Sequence, residues 1–402
     1  MALPASSVLR YYLYKATKAV EFYRPVMYLY FLSADLTFTQ ITALEATYNL
    51  VTVLGEVPTG YVGDRVGRRN SLLLGTVVIT LTLVGLGFAS TFPAFLALYA
   101  CWSVGYAFRS GTEDAWLYDT LTTELSADDF ARVRGRGESV ALLTGVVGAV
   151  VGGYLGGIDL RYPFWVAAGI TGLGIPVLLS LSEPSVADDE AGTTEVFSLR
   201  RALAITRGVL TQRRVRAFVL AYSVLFAAVL YLVFIFVQPV FETVVVDAGL
   251  PETEVEWALG WYYAAISLVG AGLSYNAGVI EDWVGLRAWF FGLPLAVGGA
   301  LVGMWAVPLL ALPVMLCIRG VADTARTLAS QYVNDRIEST GRATVLSAMA
   351  MVSALAVVPF QLASGVLSDL SSPLFALALA GAVLVVGTLV VWAWEAPIAR
   401  AR

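Results

Sequence analysis

Ionisable residues recur inside runs that are otherwise apolar. "AVEFYRPVMYLYF" (19–31) carries Glu21 and Arg24 about one helical turn apart. "YAFRSGTEDAWLYD" (106–119) carries Arg109, Glu113, Asp114 and Asp119, and "IRGVADTAR" (318–326) carries Arg319, Asp323 and Arg326. On a continuous helix, Arg109 and Glu113 share a face, as do Arg319 and Asp323. A charge at mid-bilayer costs about 2.5–3.5 kcal/mol and is normally paired and functional. Burial favours a neutral acid, whereas a neighbouring Arg favours the anion. Set against each other, these effects could let a carboxylate take up and release a proton, with Glu21 or Glu113 as the carrier. Two other readings fit the same residues: a static salt-bridge lattice, and an Arg-rich cavity for an anionic substrate. Further polar candidates are Asn49, in the stripe Glu45, Asn49, Thr52, Glu56, and Gln238 beside Pro239. Tyr23 and Tyr28 are candidates to line an amphipathic pocket; aromatics in such segments also serve as packing or interfacial belt.

Other chemistries lack their residues. There is no His, and Cys101 and Cys317 both lie in apolar runs, so neither a metal site nor a disulfide framework is expected. No phosphate-cradling G-x-x-x-x-G-K-[ST] loop occurs. No cofactor is expected, and without a nucleophile–base pair an enzyme is disfavoured.

The elements that would position these charges are membrane spans. The 402 residues are 58% hydrophobic and only 14% charged, with mean hydropathy +0.76. Lipid is therefore the solvent for most of the chain. Twelve continuous apolar runs are predicted to be helices, at about 11–33, 40–62, 71–90, 94–121, 139–157, 163–181, 217–246, 256–279, 289–307, 309–333, 343–367 and 373–394. With the N-terminus inside, twenty of the 25 Lys and Arg fall in inside segments, counting Lys15 and Lys18 at the inner end of span 1, and one, Arg161, outside. This asymmetry predicts a multi-pass plasma-membrane protein with both termini cytoplasmic.

The two halves repeat. "GYVGDRVGRR" (60–69) aligns with "GVIEDWVGLR" (278–287), pairing Gly60 with Gly278, Asp64 with Asp282, Gly67 with Gly285 and Arg69 with Arg287. In the fourth span of each half, "RSGTE" matches "RGVAD". The expected division is a six-helix bundle over 1–181, a cytoplasmic linker over 182–216 and a second six-helix bundle over 217–402. The linker's basic, Leu-containing second part fits either an amphipathic helix on the inner surface or a solvated tether.

The loop G-x-x-x-D-R-x-G-R-R between spans 2 and 3, its faded copy after span 8 and the charged linker resemble the major facilitator superfamily. The resemblance covers essentially the whole chain. It implies an all-α fold of two pseudo-symmetric six-helix bundles, with spans 1, 4, 7 and 10 around a central cavity. Glu21, Arg24, Arg109 and Glu113, with Asp114 beside them, would then face Arg319 and Asp323. It also implies a cytoplasmic gate built from Gly60, Asp64, Arg65, Gly67, Arg68, Arg69, Gly278, Asp282, Gly285 and Arg287. There Asp64 would cap the start of span 11 near Gly341–Thr344, and Gly60 would admit close backbone approach. Two family patterns are altered. Span 5 reads "GVVGAVVGGYLGG", without the Pro of drug antiporters, and span 4 keeps Arg109 and Gly111 of the family's Arg-Gln-Gly but has no Gln. "EVPTG" (56–60) and "RATVLS" (342–347) resemble a less characterised bacterial and archaeal branch.

The expected function is secondary transport by alternating access, as a proton-coupled antiporter exporting a small amphipathic or hydrophobic compound. The alternatives are an importer of a small organic anion, a uniporter, or a transport-dead receptor on the same fold. Expected partners are a small-molecule substrate, protons and the lipid bilayer, with no nucleic acid, and the chain is expected to be a monomer.

Overall fold

A computed structural model describes residues 6–124, 126–183, 216–334 and 339–398. Every regular element among them is helical. The order is α1 (Ser6–Ala19), α2 (Met27–Ser33), α3 (Phe38–Val66), α4 (Arg68–Leu86), α5 (Phe92–Arg109), α6 (Thr112–Glu124), α7 (Phe130–Ile158), α8 (Tyr162–Leu179), α9 (Arg216–Asp247), α10 (Val255–Tyr275), α11 (Ala277–Val284), α12 (Leu286–Ala306), α13 (Ala311–Asn334), α14 (Ser339–Leu370) and α15 (Pro373–Trp394). Span 1 is α1 with α2, span 4 is α5 with α6, and span 8 is α10 with α11. Among the described residues, eight helices are individually long and apolar enough to cross a membrane, or nine if the α10–α11 pair, bent by 59°, counts as one span. Spans 1, 2 and 4 lie outside that set: span 1 is broken into two short helices, span 2 carries the Glu45–Glu56 polar stripe, and α5 of span 4 has the length but not the apolar character.

The interruptions have local causes. Span 1 unwinds between Ala19 and Met27. Pro25 has no N–H to continue a helix, and it drives the preceding Arg24 away from helical backbone. Helix α7 accommodates the unwound chain with glycine. A Cβ on Gly152 would stand 1.9 Å from the Phe22 carbonyl oxygen, and one on Gly156 would stand 2.9 Å from Val26. Gly148 lies below them against Val20 and Glu21. The glycine-rich span 5 is thus shaped to the break in span 1, a close packing that only small residues permit. Span 4 breaks at Gly111, whose φ is +71°, a conformation glycine adopts without penalty.

The repeated loops share a backbone. Gly67 separates α3 from α4 at φ 92°, ψ 153°, and Gly285 separates α11 from α12 at φ 75°, ψ 144°. Both lie in a region open essentially to glycine alone. A Cβ at Gly60 or at Gly278 would meet no atom within 4 Å.

The chain divides into two compact units. Unit 1 comprises Met1–Tyr30, Thr47–Phe197 and Glu256–Ala264, and unit 2 comprises Phe31–Ala46, Ser198–Val255 and Ala265–Arg402. In unit 1, Tyr11, Tyr14, Leu72, Trp116, Leu117 and Leu178 form a buried core. Within the same unit, Gly153 of α7 and Gly260 of α10 pack backbone to backbone. In unit 2, Phe218, Phe290, Leu328, Tyr332 and Met349 form the corresponding cluster, and the Tyr332 hydroxyl donates to the Pro397 carbonyl at 2.7 Å. Unit 2 also holds the start of α3. There the Asp369 carboxylate accepts the Phe38 and Thr39 backbone N–H groups at 2.8 and 2.9 Å, and the Tyr231 hydroxyl donates to Glu45 at 2.9 Å. The amphipathic part of the linker and the expected contact of Asp64 with Gly341–Thr344 lie outside the described residues.

Candidate functional site

The break in span 1 places two charges on non-helical backbone in the middle of a span. Arg24 pairs with Glu21 at 2.8 Å, with side chains 47% and 40% exposed. The Arg24 N–H donates to the Glu21 carbonyl at 2.9 Å, so main chain and side chains close the same short turn. Lipid cannot solvate such a pair, and half-open charges at this depth belong against water.

A second cluster is more enclosed. Glu113, at the start of α6, pairs with Lys15 of α1 at 2.8 Å and with Lys18. Lys15 also bonds Glu138 of α7 at 2.8 Å. The Lys15 and Glu113 side chains are each 7% exposed. Two ammonium groups and two carboxylates therefore tie α1, α6 and α7 together. Asp114, the next residue, turns outward to Arg134 at 2.8 Å.

No ion pair joins Arg109 to Glu113 among the described residues, and the helix expected to give them a shared face is broken between them. Helix α5 ends at Arg109 and Gly111 reverses the backbone, so the helical register does not carry through to α6. Arg109 is 5% exposed and packs against Gly75 of α4, with its guanidinium 5.7 Å from the Tyr14 ring centroid. Its Nε and Nη2 have no acceptor among the described residues, and the hydroxyls of Tyr14 beside it and of Tyr11 on the same helix as Tyr14 are likewise buried without partners. In unit 2, Asp323 lies 3.9 Å from Arg319 and 3.7 Å from Arg326, an open cluster on one face of α13.

The remaining cavity candidates differ in setting. Tyr23 stacks on Phe164 with centroids 5.5 Å apart and meets Trp102 edge-on at 5.2 Å, which is the setting of a packing residue. Tyr28 is also buried, at 6% exposure. Gln238 is fully buried in α9, and Asn49 is half-buried on α3.

The inner loop is held within unit 1. Arg68 pairs with Asp119 at the end of span 4. Arg69 donates from Nη1 to the Leu181 carbonyl at 3.0 Å. Its backbone N–H donates to the Glu183 carboxylate at 3.1 Å, so Glu183 caps the start of α4. This placement suits an acid, since a helix N-terminus carries partial positive charge. Arg65 lies over the Tyr61 ring at 4.3 Å. In the second copy, Arg287 lies over Trp392 at 5.5 Å, and Asp282 is exposed.

Sequence reasoning passed over Lys15, Lys18, Glu138, Arg134 and Glu183. The lysines read as inner-face anchors, and Glu183 as part of the linker. Their partners lie about a hundred residues away. Only the surplus of acid over base in span 4 hinted that cations must come from elsewhere.

Comparison with known proteins agrees with this architecture. The model of the Major Facilitator Superfamily matches residues 19–359. The uncharacterized MFS-type transporter YxaM of Bacillus subtilis (strain 168) is 23% identical over 146 residues, 36% of each chain. The uncharacterized MFS-type transporter MJ1317 of Methanocaldococcus jannaschii is 27% identical over 123 residues, 30% of each chain. These matches span about a third of the curated relatives' length. Among solved structures, the nucleoside transporter NupG superposes with a TM-score of 0.78 at 14% identity, covering 96% of this chain and 97% of that one. A helical architecture rich in apolar spans, a duplicated glycine-hinged loop and a family match over most of the sequence lead to one conclusion: this chain belongs to the Major Facilitator Superfamily of membrane transporters, and is not an enzyme.

Proposed function

We propose that the chain is a proton-coupled antiporter of the plasma membrane that exports a small amphipathic or hydrophobic compound by alternating access. It works as a monomer with both termini cytoplasmic, and Glu21 carries the proton. The observation that carries this reading is the half-exposed Glu21–Arg24 pair on the unwound part of span 1. A carboxylate paired with Arg and open to water can trade that partner for a proton. Glu113 is less suited, because two lysines hold it in an enclosed setting. Its role is to brace α6 against α1.

A second reading, uptake of a small organic anion, draws on Arg109. Its buried guanidinium has two nitrogens without acceptors, and a substrate carboxylate or phosphate would satisfy them. A thermal-shift screen of amphipathic cations, neutral amphiphiles and organic anions at two pH values separates the readings. Amphiphiles whose stabilising effect changes with pH support export. Anions whose effect disappears in Arg109→Gln support uptake and overturn the first reading.

A further inference from the structure

Unit 2 contains a groove of about 640 Å³ lined by Val284, Gly285, Arg287, Phe291, Leu389 and Trp392, among others. One end is charged and the rest is apolar. Arg287 lies over the Trp392 ring at 5.5 Å, and Phe291 meets the same ring edge-on at 4.8 Å. No carboxylate lies within ion-pairing distance of Arg287 among the described residues. Nearby Arg216, by contrast, is neutralised by Glu395 at 2.5 Å. The groove is flanked by tryptophans with large exposed surfaces, Trp283 at 87% and Trp394 at 58%. Tryptophans of this kind mark the headgroup level of a bilayer.

The internal repeat indicates what the charged end takes. Gly285 and Arg287 correspond to Gly67 and Arg69, with the same left-handed backbone at the glycine. In the first copy the carboxylate of Glu183 stands at the start of α4, accepting the Arg69 N–H at 3.1 Å. In the second copy no side chain among the described residues caps the start of α12. The same frame thus presents backbone N–H groups and an Arg to an anion that the described chain does not supply.

We propose that this groove binds an anionic phospholipid of the adjoining leaflet. Its phosphate would lie at Arg287 and the first turn of α12, with an acyl chain along Phe291, Leu389 and Trp392. Apolar length and one fixed cation suit a lipid better than a free anion, and basic pockets between spans recognise such headgroups.

The test uses the full-length protein in detergent, with native mass spectrometry and melting temperature as readouts. Phosphatidylglycerol and phosphatidylcholine of matched chains are added in turn. The wild type is expected to retain phosphatidylglycerol preferentially and to melt higher with it. Arg287→Gln should weaken that preference about fivefold, the effect of one basic side chain at an anionic surface, while Arg287→Lys keeps most of it. Arg136→Gln, which removes an exposed Arg elsewhere, should leave it unchanged. Leu389→Trp, which fills the groove without altering charge, should reduce retention of phosphatidylglycerol. Equal retention of both lipids by the wild type, or an undiminished preference in Arg287→Gln, overturns the proposal. So does inorganic phosphate alone reproducing the full stabilisation.

Discussion

Replacing Gly152 with Ala tests whether α7 holds span 1 in its broken form. The new Cβ would stand 1.9 Å from the Phe22 carbonyl oxygen, 2.7 Å from its carbon and 2.9 Å from its Cα. Real Cβ contacts do not fall below 3.0 Å, so the two segments must separate by about 1.1 Å. All three atoms are backbone, and no rotamer change relieves the contact. Overpacking of this kind costs about 1–3 kcal/mol, against a gain of up to about 1 kcal/mol from replacing a helical glycine with alanine. Gly157 supplies the control. It lies on the same helix, and its Cβ would meet nothing within 4 Å. Gly157→Ala should therefore melt at or above the wild type, and Gly152→Ala below Gly157→Ala by an amount equivalent to about 1–3 kcal/mol. Thermal unfolding in detergent, followed by tryptophan fluorescence, measures the difference. Transport by Gly152→Ala should fall further than its stability alone explains, because the displaced backbone carries Glu21 and Arg24. Equal melting temperatures for the two variants would refute the packing argument.

Two further substitutions probe the charge cluster and the loop. Glu113→Gln leaves Lys15 and Lys18 without their shared acid; breaking a buried pair typically costs about 3–5 kcal/mol, read as a large fall in melting temperature that an added Lys15→Met partly restores. Gly67→Ala forces a Cβ onto left-handed backbone and against the Glu183 carboxylate, 2.6 Å away; a loss of about 1–3 kcal/mol is expected, whereas Gly60→Ala, in open helix, should be neutral or slightly stabilising in the same melting assay.

The spans were readable because apolar runs of sufficient length are a composition signal. The repeat was readable because Gly67 and Gly285 serve one backbone conformation that few residues other than glycine adopt. The break in span 1 was less visible. Pro25 was its signal, yet the run stays apolar across it, and a span count treats Glu21 and Arg24 as points on one continuous helix. Gly111 had the same effect on Arg109 and Glu113: an i, i+4 pairing holds only while the helix does. The pairings of Glu113 with Lys15 and of Arg69 with Glu183 join residues far apart in the chain. Local spacing carries no information about such pairs. They follow from how α1, α6, α7 and the end of α8 pack.

The most direct measurement compares wild type and Glu21→Gln in proteoliposomes, using a compound identified by the thermal-shift screen. Two fluxes are recorded: exchange at equal pH on both sides, and net movement driven by an imposed pH gradient. Glu21→Gln is expected to retain exchange and to lose gradient-driven movement, while the wild type performs both. Gradient-driven movement by Glu21→Gln at the wild-type rate would contradict the assignment of Glu21 as the proton carrier.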